Sequence, residues 1–213
     1  MDLTAIHYTA NRKPESFVQK MQAALRASLN GVPVVSVSHR PMDFGTNLCV
    51  GDVGLSVHNV WRQLQIGAQH ATTRFVCSAE DDTLYPPDYF AFRPPRDDTF
   101  YLAEPAYHLF SQKNRRHFFS YNRRGDEGAM MVNREFLLAR IDRLLAGLPT
   151  WSPPVKPLHL FKGCREERFV LGTPILEFRN DFDLHRRCKH DRSHRVRVLA
   201  PFGDCLETIT AYS

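Results

Sequence analysis

The side chains best suited to chemistry in this sequence are Glu80, Asp81 and Asp82, which follow directly on the largely apolar run Arg74-Phe75-Val76-Cys77-Ser78-Ala79. A short, β-branched and aromatic run of this kind predicts a buried strand. In open α/β sheets ligands gather at the carboxyl ends of strands, so the triplet falls where a substrate is expected. Neighbouring carboxylates raise one another's pKa unless a cation lies between them. Mg²⁺ or Mn²⁺ resolves that conflict, because a hard ion takes one or two carboxylates together with phosphate oxygens. The competing reading is a solvated acidic turn ahead of Leu84-Tyr85-Pro86-Pro87; the apolar strand in front of the triplet favours the metal.

Two other stretches carry reactive side chains. Asp126 and Glu127 stand in Arg123-Arg124-Gly125-Asp126-Glu127-Gly128, two adjacent carboxylates for which the simpler reading is a charged glycine turn. The segment from Asp183 to His194 is dense in His and Arg. The spacing of Cys188, His190 and His194 fits no zinc pattern, and a basic solvated face is the simpler reading.

The elements that must hold these groups read as an α/β order. Leu3 to Thr9 predicts a first strand that runs into the polar Asn11-Arg12. Pro14 suits a first helical position, and Phe17, Met21, Leu25 and Leu29 recur on one helical face before Gly31. Val32 to Ser38 predicts a second strand, so the chain opens with a βαβ unit and a parallel pairing. The polar stretch His39 to Gly54 is long for a plain connection and is a candidate binding loop. Val57, Val60, Trp61, Leu64 and Ala68 mark the next helix. Beyond the triplet, strands are expected at Thr99–Leu102, His117–Tyr121 and Ile175–Phe178. Asn133 should cap a helix through Phe136, Leu137, Ile141, Leu144 and Leu145, and Pro149 to Pro157 forms a proline-rich crossing.

The 213 residues suit one domain, and 43% apolar with 24% charged residues is a globular composition. The start lacks a basic segment leading into an apolar run, and no stretch of about 18 uninterrupted apolar residues occurs, so a cytoplasmic, soluble protein without membrane partners is expected. Five widely spaced cysteines predict reduced thiols. The net charge of +5, with a pI near 9.1, permits an anionic partner. Much of that charge lies in Gln112–Arg124 and His185–Arg197.

In its order of elements and in three segments the sequence resembles GT-A glycosyltransferases, and more closely the small bacterial and phage proteins of the family-2-like type. The segments are Val35-Ser36-Val37-Ser38-His39-Arg40-Pro41-Met42-Asp43-Phe44-Gly45, Cys49-Val50-Gly51-Asp52-Val53-Gly54 and Glu80-Asp81-Asp82-Thr83-Leu84-Tyr85-Pro86-Pro87. The resemblance covers residues 3–140 and, less closely, 174–190. It implies a single GT-A-like, Rossmann-related α/β domain with a central, mostly parallel sheet flanked by helices. Residues 1–100 would then bind the nucleotide-sugar, and residues 101–213 the acceptor, with a basic C-terminal segment.

The same resemblance implies that Asp82 binds Mn²⁺ or Mg²⁺ while Glu80 or Asp81 faces the sugar or ribose; the usual D-x-D reads Glu80-x-Asp82 here. It places the donor, with a UDP-sugar expected, over Thr9, Asn11, Arg12 and Ser38, with Asp52 and Asn59 in reach. Asp126 or Glu127 would be the acceptor-side base of an inverting transfer, and a C-terminal histidine, His185 or His190, would complete the metal site. A hydroxylated base in phage DNA is an acceptor that the positive charge would suit, through Arg115, Arg116, Arg123 and Arg124. Two other classes stand beside this one. A sugar-nucleotide nucleotidyltransferase would carry a glycine-rich phosphate loop, which Ala10-Asn11-Arg12-Lys13-Pro14 lacks. A non-catalytic nucleic-acid-binding module on the same fold would bind without metal.

Overall fold

The computed structural model describes residues 2–111, 117–122, 127–153, 159–180 and 195–213. Strand β1 (Leu3–Thr9) is buried along its whole length and leads into helix α1 (Glu15–Ser28), which turns Phe17, Met21 and Leu25 inward as their spacing predicts. Pro14 is the N-cap of α1, one place before the expected first helical position. Strand β2 (Val34–Ser38) runs parallel to β1. The expected binding loop that follows contains a strand, β3 (Thr46–Cys49), parallel to β2 at the edge of the sheet. Its four residues are exposed or half-buried, so no hydrophobic period marks them.

Helix α2 (Val57–His70) is capped by Ser56, whose side chain accepts the Asn59 N–H at 3.1 Å. Strand β4 (Phe75–Glu80) then pairs with β1 on the side away from β2. Strand order therefore reverses at β1, with the two helices on opposite faces. Leu25 and Leu29 pack in the core that holds Leu3 and Ala5, while Trp61, Leu64 and Ala68 pack in the one that holds Ile6 and Tyr8. Gly67 lets α2 lie against β1, since a Cβ there would stand 2.4 Å from Ile6 Cγ2. A reversal of this kind opens a crevice above the strand ends.

The second half is largely antiparallel. In order it comprises β5 (Thr83–Leu84), α3 (Pro87–Ala91), β6 (Thr99–Phe110), β7 (Phe118–Tyr121), a 3-10 turn (Glu127–Ala129), β8 (Met130–Asn133), α4 (Arg134–Leu144) and β9 (Arg165–Arg179). Short strands β10 (Arg195–Val196), β11 (Val198–Leu199) and β12 (Gly203–Asp204) precede α5 (Cys205–Tyr212). β8 runs antiparallel to both β4 and β6 and joins the halves into one sheet, in the order β10-β7-β6-β8-β4-β1-β2-β3. β9 lies parallel along β6 and also meets β5. The result is the expected single α/β domain, with a parallel core and helices on both faces. Asn133 caps α4 as predicted, its side chain accepting the Phe136 N–H at 3.0 Å. β6 and β9 are longer than the sequence suggests: half-buried Glu104, Pro105 and Tyr107 interrupt the buried run of β6, and β9 begins in largely exposed residues from Arg165 to Arg168. Cys49, Cys77, Cys164 and Cys205 are free thiols. No helix among the described residues is long and apolar enough to cross a membrane.

His7 shows what this sheet does to a polar side chain. Its ring is 2% exposed, faces the Ala79 carbonyl through Nδ1 at 3.0 Å and stands edge-on to Phe44. Burial lowers its pKa from 6.5 to about 4, against the opposing pull of the Ala79 bond and of Asp82. The unfolded chain therefore takes up this proton at a higher pH than the native one. The neutral ring's contribution is complete above about pH 6.5 and is lost as pH falls towards 4, at most about 3 kcal/mol. Urea unfolding at pH 7 and pH 5 should show a loss of stability in the native sequence that His7→Asn reduces. An equal loss in both would exclude His7 as its source.

Candidate functional site

The parallel strands end side by side, with Thr9 opposite Ser38 and Tyr8 opposite Glu80. Above them lies a cleft of about 210 Å³, walled by the β1–α1 link, the start of α2, the acidic triplet, Glu127, and Glu177 and Arg179 of β9. The first turn of α2 has no acidic residue. Its positive dipole end at the cleft is suited to an anion.

Each acid of the triplet has its own support. Glu80 Oε1 accepts the Tyr8 hydroxyl at 2.8 Å, while Glu80 N donates to the Tyr85 hydroxyl at 2.9 Å. Tyr85 in turn donates to the Gly128 carbonyl at 2.5 Å, tying the triplet to the 3-10 turn. Asp81 accepts from Thr9 Oγ1 and lies 3.8 Å from Lys13 Nζ. Burial raises the Asp81 pKa; Lys13 pulls it back and the Asp82 charge adds to the rise. Asp82 accepts from Lys13 Nζ at 2.5 Å through its carboxylate and from Phe178 N at 2.8 Å through its carbonyl.

Glu177 reaches the same place from β9. Its Oε1 lies 2.8 Å from an Arg179 nitrogen and its Oε2 lies 3.0 Å from His108 Nε2. One carboxylate oxygen from each of Glu80, Asp82 and Glu177 lies within 4.8 Å of the others. Oxygens facing each other across Mg²⁺ stand about 4.2 Å apart, twice a bond of about 2.1 Å, so an ion would draw these side chains slightly closer. The set is all carboxylate, with neither thiolate nor imidazole, which fits a hard ion.

Of the residues singled out from the sequence, Thr9, Arg12, Glu80, Asp81, Asp82 and Glu127 line this cleft. Asn11, Ser38 and Asp52 do not. Asn11 adopts φ 51 and accepts the Arg40 N–H at 2.9 Å, while Ser38 donates to the Arg40 carbonyl at 2.6 Å, so both brace the loop after β2. Asp52 is exposed and stands 3.5 Å from Arg12 at the rim. Its pKa is lowered by the Gly54 N–H and, more weakly, by Arg12 and His39. Asn59 lines the cleft, but its amide donates to the Val53 and Gly54 carbonyls at 2.6 and 3.0 Å. Asp126, His185, His190, Arg115, Arg116, Arg123, Arg124 and the Cys188-to-His194 group lie outside the described residues.

Sequence reasoning passed over Glu177, Lys13, Arg179, His39 and Gln63, all of which line the cleft. A single acid inside Ile175-Leu176-Glu177-Phe178 was the available signal for Glu177, since a strand does not bury a carboxylate without a partner. Gln63 donates to the Thr9 and Val37 carbonyls at 3.1 and 3.0 Å, holding α2 to the ends of β1 and β2.

No protein-family model matches the chain, and no curated protein does. Among solved structures it is similar to the inositol-1-phosphate CTP transferase from T. maritima, at 15% identity and a TM-score of 0.49, over 83% of this chain and 89% of that one. It is also similar to a glycosyltransferase involved in the glycosylation of the major capsid of PBCV-1, at 12% identity and a TM-score of 0.43, over 81% of this chain and 84% of that one. The fold and cleft define a single-domain α/β protein with an acidic site at its strand ends. Its chemistry is read from the side chains.

Proposed function

We propose that this chain is a divalent-metal-dependent glycosyltransferase that moves a sugar from a nucleotide-sugar, with a UDP-sugar expected, to an acceptor hydroxyl. The observation that carries this reading is the convergence of Glu80, Asp82 and Glu177 oxygens within 4.8 Å, in a cleft that Arg12 and Lys13 also line. A metal-bridged diphosphate needs carboxylates and cations in one cleft. Glu80, Asp82 and Glu177 would hold Mn²⁺ or Mg²⁺, which when bound would neutralise the leaving diphosphate. Arg12 reaches the phosphates from the β1–α1 link, and the start of α2 offers its N–H groups.

Thr9 orients Asp81 on the donor side, while Asn11, Ser38 and Asp52 shape the loop that holds the nucleotide. Glu127, on the cleft wall, takes the acceptor proton in an inverting transfer. Asp126 as an alternative base and His185 as a further metal ligand belong to the same proposal. A hydroxylated base in DNA is the acceptor to test first, because the basic stretches would give it salt-dependent affinity. Nucleotidyl transfer is less favoured, since the link between β1 and α1 has no glycine to wrap a triphosphate.

Thermal unfolding with a panel of nucleoside-diphosphate sugars, with and without Mn²⁺, tests the reading. One nucleotide family should stabilise the chain by about 3 kcal/mol at a hundred times its Kd, and chelation should remove the effect. A flat panel would overturn it. Nucleic-acid binding that survives chelation and Asp82→Asn would favour a binding module instead.

A further inference from the structure

Lys13 holds the carboxylate on which a divalent ion would depend. Its side chain is 7% exposed, and its ammonium donates to Asp82 Oδ2 at 2.5 Å while standing 3.8 Å from Asp81 Oδ1. Asp82 also supplies one of the oxygens that converge with Glu80 and Glu177. A divalent ion and this ammonium are therefore rivals for one carboxylate.

Lys13 also lines the cleft in which a diphosphate would lie. Its backbone is set between the end of β1 at Thr9 and the N-cap of α1 at Pro14. A lysine is a point charge on a flexible four-carbon stem, so the ammonium can change partner while that backbone stays in place. Asp82 is one direction open to it, and the cleft is the other.

We propose that Lys13 is an exchangeable counter-ion: it pairs with Asp82 beside Asp81 in the metal-free protein, yields Asp82 to a divalent ion, and then pairs with the diphosphate that the ion bridges. The inference rests on the metal site proposed above and adds a consequence which that site alone does not have. A lysine that only supported the acids would, on removal, weaken every ligand alike. An exchanging lysine has effects of opposite sign. Without the ammonium the acids carry more net negative charge and have lost a competitor, so the ion alone binds more tightly. The ion with its diphosphate binds more weakly, because a charge-assisted contact to phosphate has gone. The two ligands are thus coupled through Lys13, and removing it lowers the coupling between them.

Isothermal titration of the full chain with Mn²⁺ alone, and with Mn²⁺ plus inorganic pyrophosphate, tests this. Lys13→Gln should tighten Mn²⁺ binding about tenfold and weaken Mn²⁺-dependent pyrophosphate binding about tenfold, within the usual range of such couplings. Lys13→Arg should restore both towards the native values. Lys13→Met, of similar length, repeats the test should the glutamine variant fail to fold. Loss of both affinities together, or an unchanged Mn²⁺ affinity, would overturn the exchange and leave the metal site standing. No Mn²⁺ binding by the unaltered chain would overturn the metal site and the exchange with it.

Discussion

Replacing Asp82 with asparagine should lower kcat/KM for the proposed sugar transfer by about a thousandfold or more, because on that reading it removes the electrostatic stabilisation of the leaving group. The asparagine keeps the shape of the side chain, and the Asp82 carbonyl keeps its bond from Phe178 N at 2.8 Å, so the turn into β5 should persist. Lys13 is not stranded by the change, since Asp81 remains 3.8 Å away. The cost in stability should therefore be about 1–2 kcal/mol, that of one weakened charged hydrogen bond and not of an orphaned buried charge. Steady-state assays with and without added Mn²⁺, beside a urea titration, separate these effects. Near-native transfer by the variant would remove Asp82 from the metal site.

Gly128→Ala should lower transfer by about tenfold to a hundredfold, because misplacing a catalytic group by about 1 Å costs on that order. A Cβ at this position would stand 2.5 Å from Glu80 Oε2 and 2.7 Å from its Cδ, too close for both to remain. Glu80 is also held by the Tyr8 hydroxyl, so the carboxylate must leave that bond to make room. What moves is the end of a flexible side chain and not a strand, so melting should shift by no more than about 1 kcal/mol. Loss of activity with little loss of stability is the expected pattern, together with a weaker Mn²⁺ affinity by titration. If Mn²⁺ affinity and rate both stay native, Glu80 serves the strand end and not the ion.

Most of the N-terminal half could be read from its residues. In α1 the buried apolar positions recur at every fourth residue, β1 and β4 are short apolar runs, and the acids close β4 and follow it directly, so the signals are local. β3 could not be read in this way, because Thr46-Asn47-Leu48-Cys49 is held by pairing with β2 and carries no period of its own. The same holds for the full length of β6 and β9, whose partners are distant in the chain.

The candidate site divides along the same line. The residue order placed Glu80, Asp81 and Asp82 at a strand end, because a strand's end and the side chains beyond it are neighbours in sequence. It did not pair them with Glu177 and Lys13. Glu177 lies on β9 opposite Thr83, and Lys13 meets Asp82 only because β1 and β4 run side by side. Charges interact through space at a few ångströms, whatever their separation along the chain. Composition and periodicity thus determined an α/β order with acids at a crevice. Tertiary structure decided which carboxylates converge there and which cations Asp82 and Glu177 already hold.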